Sequence, residues 1–210
     1  MAKLESTLQN MILSLVIICV VAAGALAGVY ILTKANIEAQ AQAKQQAAIL
    51  AVLPEGCTVA DAEEAGGLTL YKAYINDEWV ATAVETSEVG FDGSQVIMVG
   101  FDTEGNILNY EVLKQTETPG LGAHIDHWFK DNKGNQSIIG RKAGALAVKQ
   151  DNGDVDAITA ATISSRAFLK AINKAYVAFK DGDVEAHTGA SQLIKVEEVK
   201  EEQTETEGEL

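Results

Sequence analysis

The chain has 210 residues, 47% of them hydrophobic, which is enough for one sizeable domain and an extension. A formal net charge of −14 argues against nucleic acid as a partner. Part of that charge is local, because residues 195–210 hold seven glutamates against two lysines and no aromatic residue; such a tail is expected to stay solvated and disordered.

After a short N-terminus of residues 1–10, the uncharged apolar run Met11 to Leu32 exceeds the ~20 residues that cross a hydrocarbon core as a helix. Ala25-Leu26-Ala27 has the small-residue look of a signal-peptide cleavage site. Two features favour an uncleaved anchor: only Lys3 and the amino terminus supply positive charge ahead of the run, and the run continues past Ala27 to Leu32. Cys19 lacks the small residues that usually precede a lipidated cysteine. Lys3 on one flank faces Lys34 and Lys44 on the other, too small a bias to set orientation. Cys57 is the only cysteine outside the run, so no disulfide forms within the soluble part.

Residues 33–56 begin with a stretch rich in Ala, Gln, Glu and Lys, Thr33 to Val52, which predicts a helical stalk continuing the membrane helix until Pro54 and Gly56 end it. A single domain over residues 57–194 follows. Leu68 to Ile75, Trp79 to Val84, Val96 to Phe101 and Ile107 to Leu113 are rich in β-formers, with hairpin loops expected at Asn76-Asp77 and at 102–106. Beyond Leu113 the residues Pro119, Gly120 and Gly122 break regular structure and let backbone approach a ligand. Ile125, Trp128 and Phe129 suggest a short helix, and Ala143 to Val148 a further strand leading through 151–154 into the stretch Asp156 to Ser165. From Phe168 onward Leu169, Ile172, Ala175, Tyr176 and Phe179 recur at helical spacing, predicting a helix from near Thr162 to about Lys180. The fold class is therefore α+β: a transmembrane helix and stalk, then a mainly antiparallel sheet with packed helices.

Thr162 falls at or beside the N-cap of that last helix, where free N–H groups and the dipole favour a phosphate. Threonine and serine are also common helix starters, and on that physics alone capping outranks ligand binding. His124, His127 and His187 are too scattered to define a metal site, and no cysteine pair supports an iron–sulfur cluster. Trp128 and Phe129 fit a core better than a ring-stacking site. No glycine-rich phosphate loop of the ATP- or dinucleotide-binding spacing is present, and Ser164 and Ser165 have no recognisable histidine partner for a hydrolase.

Two motifs carry a resemblance. Asp156-Ala157-Ile158-Thr159-Ala160-Ala161-Thr162-Ile163-Ser164-Ser165 resembles the flavinylation motif of the FMN-binding domain shared by the RnfG subunit of Rnf complexes and the NqrC subunit of sodium-pumping quinone reductases, and Glu117-Thr118-Pro119-Gly120-Leu121-Gly122 resembles the loop that lies against the flavin in those domains. With the membrane segment, the resemblance covers nearly the whole chain. It implies FMN bound covalently, its phosphate esterified to Thr162, with Thr159, Ala160, Ala161, Ser164 and Ser165 around the attachment point. It also implies that Glu117, Thr118, Gly120, Leu121 and Gly122 line the ring, their backbone N–H groups able to stabilise a reduced, anionic flavin. The chain departs from the family in having Ala160 where Gly is usual, a position at which a methyl group restricts the backbone.

Carried over to the whole chain, the resemblance implies a redox subunit, not catalytic alone, of an ion-translocating ferredoxin:NAD oxidoreductase of the Rnf type. A separate flavin transferase would install the FMN, the other membrane subunits of the complex and membrane lipid would be its partners, and the soluble domain would lie on the outer (periplasmic) face of the inner membrane. The compact length favours RnfG over the sibling NqrC, which is typically longer. The rival from another class is a membrane-tethered binding or assembly module without flavin, in which Thr162 only starts a helix.

Overall fold

The computed structural model of the protein describes residues 8–188; the acidic tail expected at 195–210 and most of the N-terminal decapeptide lie outside the described residues. Helix α1, Leu8–Val52, is uninterrupted for 45 residues, about 67 Å at the rise of an α-helix. It ends two residues before Pro54, whose ring disfavours helical backbone in the residue ahead of it. The apolar run and the stalk are thus one continuous element. Its last turns are not a free stalk, because Ala48, Ile49 and Val52 are buried together with Leu53 against the sheet.

Six antiparallel strands follow: β1 Thr58–Val59, β2 Glu63–Ala65, β3 Leu68–Ile75, β4 Glu78–Val89, β5 Ser94–Asp102 and β6 Ile107–Lys114. Their order across the sheet is β1-β3-β4-β5-β6, with β2 paired to β3. The predicted strands at 68–75 and 107–113 match closely, while those at 79–84 and 96–101 are extended, and the two short strands before Leu68 were not anticipated. The expected hairpin at Asn76-Asp77 is made by two non-glycine residues at φ 53° and 64°, a left-handed pair that joins β3 to β4 with the twist of the strands.

Alternation along the strands divides the core into two layers. Leu70, Val84, Ile97, Val99, Phe101 and Tyr110 point to one face, where they pack on α2, Thr162–Thr188. Phe168 of α2 sits at the centre, stacked on Phe129 at 4.5 Å between centroids and edge-on to Tyr110 at 4.8 Å. Ala73, Ala81, Ala83 and Met98 point to the other face, where they receive the end of α1. The small side chains there bring the helix close: a Cβ on Gly100 would collide with the Val52 carbonyl oxygen, so this position accommodates no side chain.

The predicted strand Ala143 to Val148 does not form. The segment is irregular, with only Val148 bridging to Val155 in a parallel sense and Lys142 bridging to Asn106. A side chain takes the place of a neighbouring strand, since Asn173 of α2 accepts from the N–H groups of Gly144 and Leu146, both at 3.1 Å, and donates to the Leu146 carbonyl at 2.8 Å. The expected short helix around Ile125 is two turns of 3-10 helix, Gly122–Asp126 and Trp128–Lys130.

Candidate functional site

The start of α2 is shaped by a turn and a buried hydroxyl. The Ala161 N–H donates to the Ile158 carbonyl at 3.0 Å, closing a turn with Thr159 and Ala160 at its centre, and Ser165 N–H then donates to the Ala161 carbonyl as the first helical bond. Ser165, fully buried, fastens the two together: its Oγ accepts from Ile158 N–H and donates to the Ala161 carbonyl, each at 3.0 Å. Ala160 takes φ 60° in this turn, a left-handed conformation that only glycine adopts without cost. The residue at which the sequence departs from the flavinylation motif is therefore the one for which the turn favours glycine.

Thr162 is the first helical residue, with Ala161 as the N-cap, so it stands beside the cap and not at it. Among the described residues no group pairs with its hydroxyl, and the N–H groups of Thr162, Ile163 and Ser164 have no backbone partner. A half-buried hydroxyl thus stands among three free donors at the positive end of a 27-residue helix.

A cavity of about 410 Å³ opens on this turn, lined by Ala160, Ala161, Thr162, Ile163 and Ser164 from one side and by Glu117, Thr118, Leu121 and Gly122 from the other. The two stretches lie about forty residues apart in sequence and meet in space. The remaining wall is Phe91, at the tip of the β4–β5 hairpin, which sequence reasoning missed; an aromatic between Gly90 and Gly93 in a turn was the available signal. Of the other expected site residues, Thr159 and Gly120 are exposed at the margin and Ser165 lies beneath the wall in its structural role. Phe91, Leu121 and Ile163, all exposed, make the rim apolar.

One of the lining residues is a buried acid. Glu117 is 5% exposed; its Oε1 accepts from Phe91 N–H at 2.9 Å and Gln95 Nε2 at 2.8 Å, and its Oε2 accepts from the Ser164 hydroxyl at 2.7 Å. The hairpin tip is tied to the same loop by the Thr116 hydroxyl, which donates to the Asp92 carbonyl at 2.7 Å.

The segment leading into Thr162 is pinned by charge. Arg166 makes two bonds to Asp151 and holds its carboxyl below the usual aspartate range, and Lys149 together with the Asn135 N–H does the same for Asp156. His124 and His127 stay outside the cavity lining: they contact each other on the 3-10 turn, and His127 Nδ1 lies 2.6 Å from Asp126. Trp128 donates to the Asp156 carbonyl and Phe129 is core, so neither aromatic lines the cavity.

The donor set fits the phosphate and ring of FMN: free N–H groups and a hydroxyl at one end, apolar and glycine-rich walls beside them, and a volume within the range of small-ligand sites. Comparison with known proteins is consistent with that chemistry. Residues 90–177 match the FMN-binding domain and residues 4–52 match the RnfG N-terminal region. The chain is similar to the G subunit of the ion-translocating oxidoreductase complex of Vibrio atlanticus, 34% identical over 180 residues that cover 78% of this chain and 86% of that protein. The protein of the same name from Escherichia coli (strain K12) is 34% identical over 167 residues, 72% of this chain and 81% of that one. Among solved structures, the C subunit of the Na(+)-translocating NADH-quinone reductase of Parabacteroides distasonis overlaps 59% of this chain and 64% of its own, with a TM-score of 0.39 and 22% identity.

Proposed function

This chain belongs to the family of ion-translocating oxidoreductase complex G subunits, and on that premise we propose that it carries FMN as a phosphoester on Thr162. It is a flavin electron-transfer subunit of an Rnf-type complex, a redox component of a translocase, held in the inner membrane by one helix. The observation that supports the attachment site is the meeting of the 117–122 loop and the first turn of α2 around one unpaired hydroxyl.

The flavin supplies the redox chemistry when bound; the protein binds, orients and shields. Thr162, Ile163 and Ser164 offer N–H groups to a phosphate, and the dipole of α2 favours its charge. The Thr162 hydroxyl is a weak nucleophile, so we assign the transfer to a separate flavin transferase acting on an activated donor. Phe91, Leu121 and Ile163 give the ring an apolar rim, and Gly122 leaves the wall thin.

The fold also orients the cavity. α1 runs antiparallel to β6: the Asn109 amide donates to the Ala51 carbonyl and Lys44 reaches the Leu113 carbonyl, so the helix leaves the sheet at the C-terminal end of β6 on its way to the apolar run. The β4–β5 turn and the 115–122 loop lie at that same end, and the cavity therefore faces the membrane side of the domain. A cofactor held there is turned toward the membrane-embedded subunits, which we take to be its electron partners. We place the domain on the outer face of the membrane; protease added to intact spheroplasts should digest it, and protection would reverse the topology.

The attachment is tested by co-expressing Thr162→Ala and Thr159→Ala with a flavin transferase, denaturing, and reading in-gel fluorescence, with circular dichroism as folding control. Thr162→Ala is expected to lose covalent flavin and stay folded, since its hydroxyl bonds nothing among the described residues. Thr159→Ala is expected to lower attachment in part. Persistent fluorescence in Thr162→Ala would overturn the assignment.

A further inference from the structure

We infer that Glu117 is the positioning residue that sets the charge of the cofactor cavity, holding its walls in place and opposing any second negative charge inside it. The inference rests on the flavin reading above and deepens it.

The side chain is a buried acid, and each group that bonds it can present a donor to it. Its two oxygens accept three hydrogen bonds, from a backbone N–H, an amide and a hydroxyl, and among the described residues no lysine, arginine or histidine forms an ion pair with it. Gln95, fully buried, turns both its N–H bonds toward acceptors, donating to Glu117 Oε1 and to the Ser164 carbonyl at 3.3 Å, and leaves its own Oε1 without a partner. An amide flip would set that oxygen against two others, so the orphaned oxygen is the cost of donating to the carboxylate. The surroundings make room for it: a Cβ on Gly90 would collide with Glu117 Oε1, and one on Gly122 would lie 2.5 Å from Oε2.

Two of the bonds reach cavity walls, at Phe91 and Ser164, and the third reaches Gln95 behind them. Phe91 belongs to the hairpin tip, Gln95 to the start of β5, and Ser164 to the first turn of α2, while Glu117 itself opens the loop that forms the opposite side. The carboxylate also sits at the positive end of α2, sharing with a phosphate the field that would otherwise be free to favour an anionic ring. Reduction by two electrons from the complex, with one proton from solvent, leaves a negative charge on the ring; with a second proton the ring is neutral. The Glu117 carboxylate disfavours the first outcome and the N–H groups of the loop favour it; a full charge with no cation paired to it among the described residues acts here against partial dipoles. The expected product is the neutral reduced ring over a wider pH range.

Glu117→Gln separates charge from geometry. The amide oxygen can keep the bonds from Phe91 and Gln95, and the amide nitrogen can donate to the Ser164 hydroxyl, so the walls stay in place. The measurement is a potentiometric titration of the flavin-loaded full chain in detergent from pH 6 to 9, with Asp92→Asn, an exposed acid on the same hairpin, as the control. Glu117→Gln should keep covalent fluorescence, raise the midpoint by a shift equivalent to about tenfold in the equilibrium, about 30 mV for a two-electron couple, and move to lower pH the point at which its pH slope halves. Asp92→Asn should change neither. An unchanged midpoint and slope in Glu117→Gln, or loss of flavin from it, would overturn the inference. A wild-type chain without flavin would instead overturn the cofactor reading itself.

Discussion

Replacing Ala160 by glycine should stabilise the protein. The residue holds φ 60° at the centre of the turn that precedes Thr162, and its methyl group is exposed, so little packing is lost when it is removed. Left-handed backbone costs an L-residue about 1–2 kcal/mol. Glycine brings its own penalty of about 0.5–1 kcal/mol, because its unfolded chain has more freedom to lose. The difference leaves a gain of about 0.5–1 kcal/mol, or a rise in melting temperature of about 1–4 °C for a protein of this size. Ala160→Val supplies the opposite sign, because a β-branched side chain is still less compatible with positive φ and should lower stability by about 1 kcal/mol or more. Thermal melts of the full chain in detergent, followed at 222 nm and repeated as urea titrations, read both. A melting temperature that falls in Ala160→Gly, or one that does not distinguish valine from alanine, would refute the argument that the turn is strained at this position.

Three further outcomes follow from other contacts. Asn173→Ala removes the side chain that satisfies two N–H groups and one carbonyl of the 144–146 segment, and should cost about 2 kcal/mol in a urea titration, with faster hydrogen exchange confined to that segment. Gly100→Ala drives a methyl group into the Val52 carbonyl and should cost about 1–3 kcal/mol, exposing the 52–58 linker to protease. The carboxyls of Asp151 and Asp156 titrate below their unfolded value of about 3.9, so the stability they contribute is complete above that pH and is lost as pH falls through their lower folded values. Melting temperature should therefore drop between pH 4 and pH 2, and Asp151→Asn should remove part of that dependence.

The strands were legible because they are rich in β-formers and bounded by turn residues, as in Val96 to Phe101, whose side chains alternate between the two buried layers. The helix from Thr162 was legible from the recurrence of its apolar residues at a period of 3.6. β1 and β2 are too short to show a period, and their pairing to β3 depends on backbone bonds that no side chain announces. Ala143 to Val148 read as a strand, yet the bonds that replace a ladder come from Asn173, almost thirty residues downstream. Both motifs of the site were visible in the chain; the meeting of Glu117 with Ser164, and the contribution of Phe91 from a turn, arise only from the register of β4, β5 and β6.

The continuity of α1 turns residue count into a height and an angle. Twelve positions separate Leu32, the last of the apolar run, from Lys44, whose side chain hydrogen-bonds the end of β6, a distance of about 18 Å along the axis. With no break between them, adding one residue to that interval lifts the domain by about 1.5 Å and swings it by about 100°, enough to aim the cavity at a different neighbour. Seven added residues would raise it by about 10 Å and return it to nearly the same bearing. The interval therefore acts as a vernier between cofactor and bilayer, in which length and direction cannot be changed independently.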